Sequence, residues 1–177
     1  FIAIIPSLRA ETGTSSWIPG YFYSVAGGTH GQMDRLKIDG EDVFCIDPEH
    51  VFKNGSGFSE GNISSVLTDE QKDKIELIHH FGYILNGKGD RNRAYTQIAI
   101  WEALGYSVKV GSSKGANDRQ ADYESWLKNV QKNINNWLSV PSWNKTTING
   151  KIGDTITLDG ENKISGSYVE SANGSSV

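Results

Sequence analysis

Tyr95-Thr96-Gln97-Ile98-Ala99-Ile100-Trp101-Glu102-Ala103-Leu104 is the stretch on which the reading of this chain turns. Wound at 3.6 residues per turn, it carries apolar side chains on most faces, which predicts a buried helix rather than a surface one. Asp90 or Asn92 suits its start, and Gly105 suits its end as the C′ residue, where a missing Cβ permits a left-handed turn. Within it Gln97 shares a face with Trp101 and Leu104, at i, i+4 and i+7. A primary amide on an apolar face is costly unless its hydrogen bonds are met, so Gln97 requires partners.

Helical periodicity extends both ways from this segment. Thr68-Asp69-Glu70-Gln71 has the form of a capping box and opens a helix with Ile75, Ile78, Gly82 and Leu85 on one side. Tyr123, Leu127, Val130, Ile134 and Trp137 step by four and three until Pro141, predicting a third helix with Trp101, Trp126 and Trp137 as helix core. Outside these limits the pattern shortens to strands and turns. Tyr21-Phe22-Tyr23, Leu36-Lys37-Ile38 and Val43-Phe44-Cys45-Ile46 are strand-like, and Asp39-Gly40 is a hairpin signal. Lys53 to Gly61 reads as a surface loop. Thr146-Thr147-Ile148 and Thr155-Ile156-Thr157-Leu158 read as further strands. The expected fold class is α+β: an antiparallel β-sandwich or barrel built from both chain ends, about 1–60 and 145–177, with a three-helix lobe inserted at about 66–140. One domain is expected over 1–177.

Composition narrows the function. The 177 residues carry 17 basic and 21 acidic side chains, a net charge of −4, which gives no electrostatic footprint for nucleic acid or an anionic membrane. Leu, Ile, Val and Phe make up roughly a quarter of the chain, enough for a core. The longest apolar run, Phe1 to Ile5, is far below the ~20 residues needed to span a bilayer, so no membrane insertion by this segment is expected. The abrupt opening on Phe1 and the Ser/Asn/Gly-rich close suggest a piece of a longer protein. Cys45 is the single cysteine, so no intrachain disulfide or multi-cysteine metal site can form; no cofactor or metal is expected.

Two segments remain to be explained: Phe44-Cys45-Ile46-Asp47-Pro48 at a strand end, and Thr96-Gln97-Ile98-Ala99-Ile100-Trp101 in the buried helix. Taken alone, Cys45 reads as a small core residue and Gln97 as an amide that satisfies buried backbone groups. Taken together, they resemble the paired motifs of the thioester domains found in surface adhesins of Gram-positive bacteria: an aromatic-Cys-aliphatic strand segment, then a helix of the form Thr-Gln-x-x-x-Trp.

That resemblance implies an internal thioester between the Cys45 sulfur and the Gln97 side-chain carbonyl, formed with loss of ammonia. Thiolates are effective nucleophiles, fixed placement supplies a large effective molarity, and backbone N–H groups near Cys45 or at the start of the Gln97 helix would hold the oxyanion. The product is a stored electrophile that a primary amine opens once, freeing Cys45. Phe44, Ile46, Ile98 and Trp101, with Thr96, would line its pocket and exclude water. The implied partner is a lysine of a host surface or matrix protein, and the implied location is the bacterial cell surface, anchored through wall-linked segments beyond this chain. The chain would act once, not turn over, and a monomer is expected. The bond would also staple a loop of about 50 residues, worth roughly 4 kcal/mol of unfolded-state constraint.

Several lesser readings stand beside this one. His79 and His80 could deprotonate an amine, though each is more simply a structural histidine. Asp47 could orient the Cys45 loop or merely form a turn before Pro48. His50, five residues after Cys45, invites a Cys-His hydrolase reading, with His79 as the other base. The Trp and Tyr content invites a non-covalent protein- or carbohydrate-binding module with Trp17, Tyr21, Tyr23 and Trp143 as unassigned rings.

Overall fold

The computed structural model describes residues 11–28, 30–50, 52–58, 63–139, 142–143 and 160–161. The strands expected at 146–148 and 155–158, and with them most of the C-terminal half of the expected β part, lie outside the described residues. The described chain is mixed α+β: an antiparallel sheet accompanied by three α-helices. Packing divides the chain into two compact units, Phe1–Gln131 and Lys132–Val177.

In the first unit the sheet holds β1 (Glu11–Val25), β2 (His30–Ile38), β3 (Glu41–Val43), β4 (Gly55–Phe58) and β5 (Val108–Gly111). Its order is β3-β2-β1-β4, with β5 also on β1. β1 serves both because it is broken in the middle. Its pairing with β2 jumps from Trp17↔Asp34 to Phe22↔Gln32, so Ile18-Pro19-Gly20-Tyr21 bulge opposite Met33. Pro19 has no N–H for a ladder and Gly20 sits at φ +73°, the two residue types that suit such a break. The first half of β1 pairs with β4 and the second with β5.

The Asp39-Gly40 turn forms as predicted: both residues have positive φ, 49° and 87°, which joins β2 to β3 with Ile38 opposite Glu41. Strand β3 ends at Val43, and Phe44 keeps only an isolated bridge, so Cys45 stands just past the strand end. Two strands differ from the sequence reading. β4 lies in the stretch read as a loop, since an edge strand needs only main-chain pairing and Gly55 supplies no side-chain pattern. β5 lies between the second and third helices, so the helical lobe is interrupted and returns a strand to the sheet. Its Val108 and Val110 are buried and Lys109 is exposed, a period-two pattern too short to separate from a loop.

Helix α1 (Asp69–His79) starts at the Thr68 N-cap, with the capping box complete: the Thr68 side chain accepts from Gln71 N–H and the Gln71 side chain from Thr68 N–H. The helical stripe expected to run to Leu85 instead loosens into a π-helical turn, His80–Ile84, leaving Ile84 and Leu85 exposed. This turn approaches the next helix closely at Gly82, where a Cβ would lie 2.8 Å from Thr96 Oγ1 and 2.9 Å from the Trp126 ring. Helix α2 (Asp90–Ala103) is buried continuously from Arg93 to Trp101 and packs against β1, β2 and β5. Helix α3 (Gln120–Leu138) buries Tyr123, Trp126 and Val130. Trp137, expected in the helix core, is 51% exposed, because the apolar stripe outruns the surface it covers. The second unit contains the remainder of α3 from Lys132 and a two-residue antiparallel ladder, Ser142–Trp143 with Gly160–Glu161.

Among the described residues no helix is long and apolar enough to cross a membrane, and no group of three or more His, Cys, Asp or Glu could hold a metal ion.

Candidate functional site

Three side chains four residues apart on α2, Arg93, Gln97 and Trp101, run along the helix and meet the segment Val43-Phe44-Cys45. Helical spacing of four places them in one row. Each is buried, and each does something different.

Gln97 grips the Cys45 backbone at both ends. Its Oε1 accepts from Cys45 N–H at 2.9 Å and its Nε2 donates to Cys45 C=O at 2.7 Å. The amide that the sequence showed to need partners therefore finds them on the one cysteine. Its carbonyl carbon, bonded to both of those atoms, is held beside the Cys45 backbone, from whose Cα the sulfur is two bonds away. The same N–H that anchors Oε1 is positioned to stabilise negative charge on that oxygen if the carbon is attacked.

Cys45 is a free, buried thiol whose sulfur donates to Asp47 C=O at 2.9 Å. Burial raises its pKa above the ordinary thiol value; a hydrogen bond from the Asp47 backbone and one from the Trp101 indole act in the opposite direction without overcoming it. The thiol is thus neutral at physiological pH, and its chemistry depends on placement rather than on a pre-formed thiolate. Trp101 packs against Tyr23 with ring centroids 4.8 Å apart, and its indole N–H has no conventional hydrogen-bond acceptor.

Arg93 is fully buried, a role the sequence reading missed. Its guanidinium lies 3.5 Å from the centroid of the Phe44 ring and donates through Nη2 to Val43 C=O, while Nε and Nη1 have no partner. Burial lowers its pKa to about 10, with Tyr83 and Asp42 acting against that shift, so it stays a cation at neutral pH. It clamps the two residues before Cys45. Beside it Arg35 pairs with Asp42 at 3.3 Å and Asp90 at 3.1 Å and donates to Tyr83 Oη at 2.9 Å. Tyr83 in turn donates to Asp42, tying β2, β3, the π turn and the start of α2 together. The signal for Arg93 was available as an arginine four residues before Gln97 in an otherwise buried helix.

A cavity of about 540 Å³ opens on Cys45. Ile46, Asp47 and His50 form one wall, Val66, Leu67 and Gln71 a second, and Leu104 and Tyr106 a third. Of the residues expected to line the pocket, Ile46 does so. Phe44 instead packs on Arg93, His79 and Tyr83. Thr96 and Ile98 are fully buried in α2, and the Thr96 hydroxyl has no hydrogen-bond partner. His79, a sequence candidate for a base, is edge-on to Phe44 at 5.1 Å and stacked on Tyr83 at 5.9 Å. Burial, then Arg93, lowers its pKa; its ring is not a cavity wall. Asp47 and His50 are brought together: His50 Nδ1 lies 2.6 Å from Asp47 Oδ2, and Asp47 Oδ1 accepts from Glu49 N–H at 2.9 Å. Burial would raise the Asp47 pKa, but these bonds bring it below the ordinary carboxylate value.

The mixed α+β scaffold thus docks one buried glutamine amide on the backbone of its single cysteine. The thioester-domain family model matches residues 42–136, and the chain belongs to that family. Among solved structures it is similar to the thioester domain of the Staphylococcus aureus TIE protein, at 25% identity and a TM-score of 0.60. The match covers 75% of this chain and 58% of that one, so this chain spans somewhat over half of that structure. No curated protein matches.

Proposed function

We propose that this chain is a covalent adhesion module in which Cys45 and Gln97 form an internal thioester that acylates a primary amine, a lysine of a host surface or matrix protein. The observation that supports this most is the two-bond docking of the Gln97 carboxamide on Cys45, in a chain of the thioester-domain family.

The chemistry balances without an added reagent. The Cys45 sulfur attacks the Gln97 side-chain carbon, and the tetrahedral oxygen is held by Cys45 N–H. The thiol proton is transferred to the departing nitrogen, which leaves as ammonia. A docking amine later attacks the same carbon, the C–N bond forms, the C–S bond breaks, and Cys45 becomes a thiol again. One chain therefore modifies one partner, and no turnover follows. Ile46, Val66, Leu67 and Leu104 give the cavity apolar walls, and a docked partner covering them would keep bulk water from the bond. Such a module works as a monomer at the bacterial surface, carried by segments beyond this chain.

A Cys-His hydrolase is the less favoured reading. Its thiolate would have to be generated by an imidazole, whereas the Cys45 S–H is donated to a main-chain carbonyl and burial raises its pKa.

The test is capture. Incubation with methylamine should add one amine per chain, mapped to residue 97, and release one titratable thiol. Cys45→Ala and Gln97→Ala should take up none while keeping the wild-type circular dichroism. Uptake by either variant, or repeated turnover on an ester or peptide, would exclude the proposal.

A further inference from the structure

We infer that His50, held by Asp47, is the general base that removes the proton from the amine as it attacks the Cys45–Gln97 thioester. The inference rests on the thioester reading and adds a catalytic residue to it.

Attack by a primary amine yields a tetrahedral intermediate whose nitrogen is positively charged. Until that nitrogen loses a proton it can depart again as neutral amine, and the thioester is restored. Transfer of the proton to a base commits the intermediate to C–S cleavage and leaves an amide. The base must stand in the space through which the amine arrives, which here is the cavity that opens on Cys45.

His50 is a wall of that cavity together with Cys45 and Asp47. Asp47 connects the two reacting partners: its main-chain oxygen accepts the Cys45 S–H and its carboxylate holds His50 Nδ1 at 2.6 Å. With Glu49 N–H on the other carboxylate oxygen, both oxygens are fixed by the six-residue turn from Cys45 to His50. An imidazole whose Nδ1–H is given to a carboxylate presents Nε2 as the lone-pair nitrogen, the tautomer a base requires. The proton taken by Nε2 passes to the departing Cys45 sulfur or to water. The titratable groups that face His50 are Asp47, Glu49 in the same turn, and Cys45 and Tyr106 across the cavity. His79 lacks this access, being packed on Phe44 and Tyr83.

The test uses the whole chain and His50→Gln and Asp47→Asn variants. Intact mass first measures the fraction carrying the thioester; the rate of methylamine addition per thioester is then followed against pH. All three proteins should start one ammonia light. His50→Gln should add methylamine about 100-fold more slowly, at the low end of general-base effects, and Asp47→Asn, which removes only the orienting carboxylate, about 10-fold more slowly. The pH dependence of the wild-type rate should differ from that of His50→Gln, which should follow the ionisation of methylamine alone. Wild-type rate and pH profile in His50→Gln would overturn the inference. Absence of the thioester from His50→Gln alone would also overturn it, by placing His50 in bond formation. Absence from the wild type would instead be the failure of the thioester reading itself, on which the inference depends.

Discussion

The two sides of α2 are built on opposite terms. Toward α3 its polar groups, the Thr96 hydroxyl beside Gly82 and the Trp126 ring excepted, meet complementary partners: Trp126 Nε1 donates to Asn92 at 3.0 Å, Tyr123 donates to Glu102, and Arg91 makes two bonds to Asp122 at 2.9 and 2.7 Å. Tyr95 fills the space between them, edge-on to Tyr123 and Trp126 at 5.4 and 5.7 Å. Toward Cys45, by contrast, Arg93 Nε and Nη1 are buried without hydrogen-bond partners, and the Trp101 indole has only the Cys45 sulfur. Buried polar atoms are seldom left so in a part of a fold that serves only stability. The comparison separates a side that holds the helix from a side that places Gln97 on Cys45.

The sharpest way to break this contrast is Gln97→Glu, which keeps the side chain's size but replaces the amide with a carboxylate that resists attack by sulfur. Thioester formation should fall to nothing, read as full sequence mass and no methylamine uptake, while far-UV circular dichroism still reports the helices. Trp126→Ala attacks the other side. Truncating so large a buried ring should cost about 3–5 kcal/mol, measured by urea unfolding, yet the molecules that remain folded should still lose ammonia and capture methylamine. Arg93→Met should fall between these outcomes. It leaves Val43 C=O without its donor, at a cost of about 1–3 kcal/mol, and it releases Phe44 next to Cys45, so the thioester fraction should drop further than Trp126→Ala lowers it.

The smallest expected effect is electrostatic. Arg91, then Tyr95, holds Asp122 well below the usual carboxylate range, at about 2. A carboxylate with a depressed folded-state pKa binds fewer protons folded than unfolded, so its contribution is present above the unfolded value of about 3.9 and disappears as pH falls toward 2. The melting temperature of Asp122→Asn should therefore lie slightly below that of the wild type at pH 5 to 7 and converge with it near pH 2. The pair is half exposed, so the gap should be modest and should shrink with salt.

What could be read from the sequence followed from strong local rules. The capping box at Thr68, the Asp39-Gly40 turn and the continuous apolar helix around Gln97 each rest on interactions between near neighbours, and each is present in the fold. The need for partners at Gln97 was legible because a lone amide on an apolar face has few alternatives; its pairing with Cys45, 52 residues away, came from the resemblance of the two motifs, and the grip on the Cys45 backbone was not legible. Two missed features have no local signature: β4 pairs through its main chain alone, and β5 is only four residues long. Arg93 had one, its place four residues before Gln97 in a buried helix, but an arginine is ordinarily exposed. The pairing of His50 with Asp47 at the cavity depends on the turn through Pro48, whose course spacing does not determine.

The central claim is that one carboxamide, docked by two hydrogen bonds on the main chain of Cys45, and the thiol of that residue become one bond. Its most direct test is the intact mass of the untreated chain, taken under denaturing acidic conditions with a thiol titration beside it. The account predicts a mass lower than that of the sequence by one ammonia, with no titratable thiol. Full sequence mass with Cys45 freely titratable would contradict it.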